Sequence, residues 1–423
     1  MIRLLLVAPP FSGHLNPLIA IARRLRERGF DPRFVTGPAR VPLLRELGFH
    51  ADPILADDPD ALERVADPPR PVRSNPVKMA GQLRQSLAVL AVARGEIERI
   101  VARDQPALVL ADFTAPVAGL VADAAGLPWV TTMPTPFALE TRRGTPSYCG
   151  GWGPARHPGH RLRDAAGRLS TRAVKRGFGL LFARQLGDLG TRVYRPDGTE
   201  AAYSPHAILG LGLPELEFPR DWPPALRLIG PVTETPERAV VPDGLVEGDR
   251  PRVLVTMGTH LPWVKAELAA QVTRLAAHFV DHEFVVALGR PVARPAVTRV
   301  ATNVVTCDYL PYDEVLPHVE AVIHHGGAGV VYSTLRAGKP SLVWPRDYDQ
   351  FDFAARVVAA GAGVRVRNLD SRRAVAGLRR VLTGLDRPAI TALQQAVQRS
   401  DPFTATERTI RDLLGTPAAP GAA

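Results

Sequence analysis

The sequence predicts an α/β protein made of two doubly wound, Rossmann-like domains that face each other across a crevice. Short apolar runs alternate with helical periodicity in the first half of the chain and again in the second. Such alternation is typical of parallel sheets covered by helices. A stretch rich in Pro, Gly and acidic residues separates the halves. The length of 423 residues also exceeds what one ordinary core fills, which favours two domains.

The first half begins with a strand, a helix and a second strand. Leu18, Ile21, Ala22 and Leu25 have the spacing of one buried helical face. Asn16 is a suitable N-cap for this helix, Pro17 suits its first position, and Gly29 is placed to end it. The same alternation returns later, with a helix from Pro116 to Ala125. The strands of this half are predicted at 3–8, 33–36, 107–112 and 129–133.

The region from about 141 to 221 is rich in Arg, Gly and Pro, which predicts helices and loops laid over the crevice. Apolar periodicity stops over 228–251, and we expect a linker at 233–250 between domains at 1–232 and 251–423. A final helix at about 405–414 is placed to cross back to the first domain. In the second domain, strands are predicted at 252–259, 283–289, 303–310, 321–325 and 341–345, and helices at 265–280, after 325 and at 350–360.

Composition argues against several classes of protein. The formal charge is +10, but the chain has no Lys/Arg block and little aromatic interleaving, so a solvated basic surface is favoured over a nucleic-acid interface. The apolar run at 3–8 is far shorter than the roughly 20 residues of a spanning helix. Cys149 and Cys307 are the only cysteines, which excludes a disulfide framework and indicates a reducing compartment, by default the cytoplasm.

The stretch HHGGAGVVYSTLRAGKPSLVWP, residues 324–345, indicates an anion site. Gly326, Gly327, Ala328 and Gly329 let an anion approach the backbone at the start of a helix, where main-chain N–H groups and the helix dipole favour negative charge. His325 and the Thr259 hydroxyl can add hydrogen bonds to a diphosphate. His324 and His325 point to opposite faces of a strand, so a metal pair is not expected, and one of them should pack or cap.

A second group of polar residues fits a sugar. Asp349 and Gln350 stand at the start of the next predicted helix, where a carboxylate and an amide can bind vicinal hydroxyls. In the first domain, His14 just before its helix and Asp112 at a strand end fall at the same edge of the sheet. Taken singly, each feature has an ordinary explanation: turn glycines, a helix N-terminus or a capping histidine. Their combination predicts a nucleotide-sugar site.

The segment DYLPYDEVLPHVEAVIHHGGAGVVYSTLRAGKPSLVWPRDYDQ, together with SGHLNP near the amino end, resembles glycosyltransferase family 1. These nucleotide-sugar enzymes of the GT-B fold include actinobacterial natural-product glycosyltransferases. The segment LEFPRDWPPALRLIGPV, residues 216–232, also resembles the one that those bacterial enzymes carry before their linker. The resemblance covers essentially the whole chain but is weak from about 135 to 210. It implies an acceptor-binding first domain and a nucleotide-sugar-binding second domain.

Position by position, the resemblance makes His14 the general base and Asp112 the residue that holds its other ring nitrogen. It implies inversion at the anomeric carbon without a divalent ion or other cofactor. Tyr309 matches an aromatic residue that stacks on the nucleobase, and Leu310 and Val330 fall within the donor motif. Tyr312 replaces a glutamine of the relatives.

Two departures concern the donor. Val330 and Val331 stand where relatives usually have Ser or Thr after the glycines, so phosphate binding must depend on main-chain N–H groups, His325 and Thr259. Ser333 replaces a glutamate that grips both ribose hydroxyls in UDP-glucose users. This loss favours a TDP-sugar donor, and strong thermal stabilisation by UDP with none by TDP would reject that hypothesis.

The sequence therefore predicts an inverting O-glycosyltransferase that modifies a small, largely apolar natural product. Two alternatives stay open. One is a glycolipid or cell-wall precursor transferase at a membrane surface, although the Arg-rich segment 156–176 shows no clear amphipathic anchor. The other is an idle homologue that binds a nucleotide sugar. A dehydrogenase is disfavoured because no G-x-G-x-x-G turn follows the first strand. We expect no nucleic-acid partner and no stable membrane insertion, and a homodimer stays open.

Overall fold

The computed structural model describes residues 1–66, 76–234, 240–245, 248–259, 262–290, 292 and 295–416. It contains two sheets, each with seven strands in this part of the chain, and helices cover both faces of each sheet. The strand orders are β3-β2-β1-β4-β5-β6-β7 and β10-β11-β9-β8-β12-β13-β14. The predicted fold class is confirmed.

The first sheet and its helices are formed before residue 229. Its strands are β1 Ile2–Val7, β2 Phe30–Thr36, β3 His50–Pro53, β4 Leu108–Asp112, β5 Trp129–Met133, β6 Ala207–Gly210 and β7 Leu226–Leu228. Its helices are α1 Ser12–Glu27, α2 Val41–Glu46, α3 Ala61–Ala66, α4 Pro76–Asp104, α5 Pro116–Ala124, α6 Pro158–Leu181 and α7 Ala183–Asp188. The strands pair in parallel throughout.

The second sheet begins at residue 252. Its strands are β8 Arg252–Thr256, β9 Glu283–Ala287, β10 Val297–Ala301, β11 Val304–Cys307, β12 Ala321–His324, β13 Ser341–Val343 and β14 Gly363–Arg365. The remaining helices are α8 Pro262–Lys265, α9 Leu268–Ala276, α10 Tyr312–Val315, α11 Ala328–Arg336, α12 Gln350–Ala359, α13 Arg372–Thr383, α14 Arg387–Arg399 and α15 Pro402–Leu414. Among the strands that the structure describes, only β10 and β11 pair antiparallel.

Strand burial explains why the apolar runs predicted the central strands of both sheets, whereas β3, β6, β7, β10 and β14 were not predicted. Residues of β4, β5 and β8 are buried along their whole length because helices cover both faces. In each sheet the order reverses at the centre, between β1 and β4 in the first and between β8 and β12 in the second. A crevice forms at such a switch point, beyond the carboxyl ends of the strands.

The predicted start of the first helix is wrong. Helix α1 begins at Ser12 with the main chain of Phe11 as an extended N-cap, so Asn16 and Pro17 lie in its second turn. The N–H groups of His14 and Leu15 already donate to the carbonyl of Phe11. Since Pro17 has no N–H, it leaves one internal helical bond unmade. His14 consequently lies inside the first turn and not ahead of the helix.

Other boundaries also differ from the prediction. The helix expected at 265–280 is divided into α8 and α9 and ends at Ala276. The strand expected at 303–310 ends at Cys307, and its antiparallel neighbour β10 was missed because its residues are largely exposed and lack an apolar pattern. The amphipathic stretch near residue 182 breaks there into α6 and α7.

The last helix packs on the first domain. Ile410 of α15 is fully buried in the apolar cluster that contains Leu4 and Phe30. Arg28, just after α1, pairs with Glu407 of α15. The helix therefore joins the carboxyl end of the chain to the amino-terminal sheet.

No helix in the described part of the chain combines the length and the apolar character needed to cross a bilayer.

Candidate functional site

His14, Asp112, Thr259 and His325 lie beside the two switch points. Val7 and Ala111 are paired at the ends of β1 and β4, so the loop before His14 lies next to Asp112. Thr256 and His324 are paired at the ends of β8 and β12, so the loops that contain Thr259 and His325 are neighbours. Each domain therefore contributes one polar cluster to the crevice.

His14 and Asp112 form a hydrogen-bonded pair. The distance from His14 Nδ1 to Asp112 Oδ1 is 3.0 Å. Asp112 is 1% exposed, and the same carboxylate oxygen accepts hydrogen bonds from the main-chain N–H and the hydroxyl of Thr114. Because Asp112 occupies Nδ1 and favours a proton there, Nε2 of neutral His14 is the nitrogen with a free lone pair.

Aromatic rings fix the plane of the His14 imidazole. Phe113 stacks on it with ring centroids 5.5 Å apart and an interplanar angle of 24°, and Phe11 makes an edge contact at 6.2 Å. Burial alone would lower the pKa of His14, but the charge and hydrogen bond of Asp112, together with the charge of Asp349, outweigh it and raise the pKa above its ordinary value. The imidazole is therefore a stronger base than a free histidine.

The charge of Asp349, a residue of the second domain, acts on His14. It is the N-cap residue of α12, and its side chain makes no capping hydrogen bond to the part of the chain described here. Burial and the charge of Asp352 raise the pKa of Asp349 to about 7, against a smaller opposing effect of His14. Near neutrality, the carboxyl group of Asp349 is consequently close to its midpoint of ionisation.

The glycine-rich turn presents a helix N-terminus to the crevice. Gly327 is the N-cap of α11, and the first bond within the helix runs from the N–H of Val331 to the carbonyl of Gly327. The N–H groups of Ala328, Gly329 and Val330 therefore have no partner within the helix. An anion at this point would also meet the positive end of the helix dipole.

Gly326 differs from the expectation. Its N–H donates to Nδ1 of His324 at 3.1 Å, so this amide is occupied within the protein. The glycine is required because its φ is +94° and because a Cβ here would lie only 2.9 Å from the carbonyl oxygen of Gln350. Gly326 therefore shapes the turn, while the amides after Gly327 remain for an anion.

His324 is a packed residue, as expected for one member of the histidine pair. Its side chain is fully buried, and burial lowers its pKa to about 3, with a smaller contribution from His325. It is therefore neutral and accepts the hydrogen bond of the turn.

His325 occupies the space that two glycines leave open. A Cβ on Gly258 would lie 2.8 Å from Cε1 of His325, and one on Gly327 would lie 2.4 Å from its Nε2. The imidazole is thus held between the turn after β8 and the start of α11. Thr259 follows Gly258, and its carbonyl accepts a hydrogen bond of 3.0 Å from Lys265.

Gln350 is partly committed to its own loop. Its side-chain oxygen accepts hydrogen bonds from the N–H groups of Arg346, at 2.8 Å, and Asp347, at 3.2 Å. The side-chain NH₂ is the group left for a sugar hydroxyl. The expected hydroxyl-binding pair therefore offers carboxylate oxygens from Asp349 as acceptors and the NH₂ of Gln350 as a donor.

The side chains expected near the nucleobase divide into two groups. Tyr309 is half-buried and lies beyond the end of β11, two strands away from β8. Leu310 and Val330 are buried together in one hydrophobic cluster, so only their main chains can contact a ligand. The Tyr312 hydroxyl lies 3.0 Å from that of Thr256, which ties α10 to β8.

Ser333 and Val331 lie on the inner side of α11. Both are buried, Ser333 at 4% exposure and Val331 at 1%. The substitutions noted in the sequence therefore place small or apolar groups against the core, where they offer little to a ribose or a phosphate.

A buried ion pair between the two domains, here called the interdomain clasp, was not predicted from the sequence. Arg356 of α12 pairs with Glu217 at 2.8 Å, and both side chains are 2% exposed. The guanidinium also lies over the rings of Phe137, at 4.0 Å, and Phe218, at 4.6 Å. The only signal in the sequence was Arg356 on the buried face of a predicted helix, where an unpaired charge would be costly.

A second contact between the domains joins the segment that contains Tyr148 to helix α12, which begins next to Asp349. The N–H of Tyr148 donates to Asp352 at 3.0 Å, one turn after Asp349. Tyr148 also lines a cavity of about 330 Å³ bounded by the 138–148 segment and by α6. Apolar residues of this cavity include Ala138, Leu139, Ala165 and Leu169. It is the candidate acceptor cavity.

Known proteins share this architecture. Residues 271–403 match the family model described as Erythromycin biosynthesis protein CIII-like, C-terminal domain. Over 392 residues, the chain is 29% identical to 4'-demethylrebeccamycin synthase of Lentzea aerocolonigenes, an alignment that covers 88% of this chain and 90% of that protein.

Solved structures agree over nearly the full length. The glycotransferase of kitacinnamycin has a TM-score of 0.70 at 21% identity and covers 96% of this chain and 99% of its own. The glycosyltransferase VinC in complex with DTDP has a TM-score of 0.64 at 21% identity, and the match covers 98% of this chain and 100% of VinC. These similarities confirm the predicted architecture.

Proposed function

Since the chain is a glycosyltransferase of the GT-B fold, similar to family 1 natural-product enzymes of actinobacteria, we propose that it moves a sugar from a nucleoside diphosphate sugar to a hydroxyl of a small, apolar natural product. The transfer inverts the anomeric configuration and uses no metal ion. The observation that carries this proposal is the arrangement of the crevice: the His14–Asp112 pair at one switch point, with the N-terminus of α11 at the other.

His14 acts on the acceptor. Its Nε2 takes the proton of the acceptor hydroxyl while the oxygen attacks the anomeric carbon, and Asp112 stabilises the imidazolium that forms. Attack from the side opposite the leaving diphosphate inverts the anomeric centre.

The second domain acts on the leaving group and the sugar. The N–H groups of Ala328 and Gly329, with the dipole of α11, stabilise the charge that develops on the departing diphosphate. Fixed main-chain donors can fill the role that a divalent cation has elsewhere. Asp349 and the NH₂ of Gln350 hold the sugar hydroxyls and so orient the anomeric carbon towards His14.

The TDP-sugar preference belongs to the same proposal. Buried Ser333 offers no carboxylate for the two ribose hydroxyls, so a 2′-hydroxyl adds little to binding. VinC, a structural relative, was solved with DTDP. We expect TDP to stabilise the protein thermally at least as strongly as UDP.

A cytoplasmic location is part of the proposal as well. Cys149 and Cys307 are both free thiols, in agreement with a reducing compartment.

The test is a transfer assay. The protein is incubated with TDP- and UDP-sugars and a panel of hydroxylated aromatics, polyketides and lipids, and products are detected by mass gain. His14→Ala should reduce the rate by about 10² or more, the usual contribution of a general base. Exposed His278 provides the matched control, His278→Ala, with an unchanged rate. Nuclear magnetic resonance of the product reports the anomeric configuration.

Three outcomes would contradict the proposal. An unchanged rate for His14→Ala would show that His14 is not the general base. A product that retains the anomeric configuration would rule out a single in-line displacement. Donor binding without transfer or hydrolysis of any sugar would favour the idle homologue.

A further inference from the structure

Helix α6 turns an apolar face to solvent. Leu162, Leu169 and Leu180 are 75%, 71% and 81% exposed, and Leu181 is 59% exposed. The first three lie on one line along the helix because nearly whole numbers of helical turns separate them. This exposed leucine line is the apolar strip of α6. The opposite face packs inward through Phe178, against a cluster that includes Leu87 of α4. The exposed leucines therefore have no packing role towards the sheet.

Cations border this face. The helix contains Arg161, Arg163, Arg168, Arg172, Lys175 and Arg176, of which Lys175 pairs with Glu140 and Glu200 and Arg172 lies 3.9 Å from Glu140. Its one acidic residue is Asp164, which is buried and paired with Arg163 at 2.7 Å. Arg161 and Arg176 are exposed beside the leucine line. An apolar strip with a positive border is complementary to a surface that is both apolar and anionic.

The strip is continuous with the candidate acceptor cavity. Leu169 belongs to both, since it lines the cavity while 71% of it is exposed. Ala165, Arg168 and Arg172 of the same helix form more of the cavity wall. A compound that enters beside α6 would therefore reach the cavity without crossing the crevice.

We propose that the outer face of α6 docks on an anionic phospholipid bilayer, with its leucines in the interfacial region and its arginines among the headgroups. A second copy of the chain is a poorer occupant, since a two-fold contact on this strip would bring Arg161 and Arg176 of both copies together. The docking is peripheral and lets an apolar acceptor pass from the bilayer surface into the cavity.

The test uses the full chain and vesicles, with no sugar donor present. Flotation with vesicles of phosphatidylcholine and phosphatidylglycerol is compared with flotation on phosphatidylcholine alone. We expect binding to the anionic vesicles at low salt and its weakening as salt screens the arginines. Because no transfer is measured, failure of this proposal is distinguishable from failure of the proposed function.

Two double variants separate the apolar and the charged contributions. Leu162→Ser with Leu180→Ser, and Arg161→Glu with Arg176→Glu, should each weaken vesicle binding by about tenfold or more. Val280→Ser and Arg373→Glu change exposed residues elsewhere on the molecule and should leave binding unchanged. All four side chains of the double variants are exposed, so unchanged melting temperatures are expected.

The proposal is overturned if anionic vesicles do not bind the protein at low salt, or if the leucine variant binds them as well as the unaltered chain. Sedimentation equilibrium tests the competing occupant. A dimer that the leucine variant dissociates would assign the strip to a second copy. If the chain bound an acidic protein saturably but did not bind vesicles, and the arginine variant lost that binding, the exposed face of α6 would be assigned to a protein partner.

Discussion

At the scale of single residues, the site depends on two titrating groups that face each other from different domains. Asp112 raises the pKa of His14, and Asp349 adds to that effect. Burial and Asp352 raise the pKa of Asp349 to about 7. The active protonation state, neutral His14 with ionised Asp349, therefore becomes populated as the pH rises, and activity should fall on the acid side.

Asp112→Asn removes the charge that raises the pKa of His14. With saturating donor, where ionisation of Asp349 no longer limits donor binding, the acid limb of the kcat profile should therefore move to lower pH, while the maximal rate falls by about 10² or more because the imidazolium loses its partner. A pH profile of transfer measures both. Asp188→Asn, at an exposed carboxylate, is the control. A limb that stays in place would contradict the assigned role of Asp112.

Asp349→Asn tests the sugar contact. In the unaltered protein, donor KM should rise below about pH 7, since protonation of Asp349 removes a charged acceptor. In the variant, donor kcat/KM should be lower by up to about tenfold, and donor KM should no longer depend on pH in this range. Equal pH dependence of donor KM in both proteins would show that Asp349 does not bind the sugar.

Most of these residues, and through the family resemblance the contact between His14 and Asp112, were predicted from the sequence. Asp112 stands at the end of a predicted strand and His14 follows the loop after another, and parallel pairing brings the ends of these strands together. The effect of Asp349 on His14 depends on how closely the domains approach, which no local pattern encodes. The occupied amide of Gly326 likewise depends on the orientation of His324.

At the scale of elements, the start of α11 is fitted to His325. In Gly327→Ala the new Cβ would lie 2.4 Å from Nε2 of His325, so either the ring or the turn must move. We expect diphosphate binding, measured by calorimetry with TDP, to weaken at least about tenfold, as expected when a set of charge-assisted hydrogen bonds is misplaced.

Gly95→Ala, in helix α4, is the control for the substitution itself. Among the residues that the structure describes, none lies within 4 Å of the added methyl group, and TDP affinity should not change. If Gly327→Ala also bound TDP normally, the fitted turn would not be needed for the diphosphate.

Boundaries were predictable where burial is uniform. Strand β5, buried on both sides, was predicted at its observed bounds, and β4, buried likewise, was predicted to begin one residue too early. For β8 the predicted start was correct, but the strand ends at Thr256 and not at 259. The start of α1 was misplaced because Asn16 and Pro17 are strong local signals, whereas the true N-cap, Phe11, acts only through its main chain.

At the scale of the whole molecule, the clasp holds the domains in the arrangement that forms the site. Phe137, Leu213 and Leu216 of the first domain share one apolar cluster with Val331 and Tyr332 of the second. Arg356 and Glu217 are buried beside it. These contacts join residues far apart in the chain, so sequence periodicity gave no indication of them.

Arg356→Ala should destabilise the protein by about 3–5 kcal/mol, because it leaves the Glu217 carboxylate buried without a partner. Thermal unfolding measures the loss, and Arg336→Ala, at an exposed arginine, is the control. Replacing both partners, with Arg356→Met and Glu217→Leu, should recover much of the stability. A melting temperature unaffected by Arg356→Ala would mean that the domains do not close as described.

We have proposed that main-chain amides at the start of α11 hold a diphosphate opposite His14. A crystal structure with TDP bound tests it most directly. We expect phosphate oxygens within hydrogen-bonding distance of the N–H groups of Ala328 and Gly329, in the crevice between the domains. Ordered diphosphate at any other place on the molecule, with this turn left vacant, would contradict it.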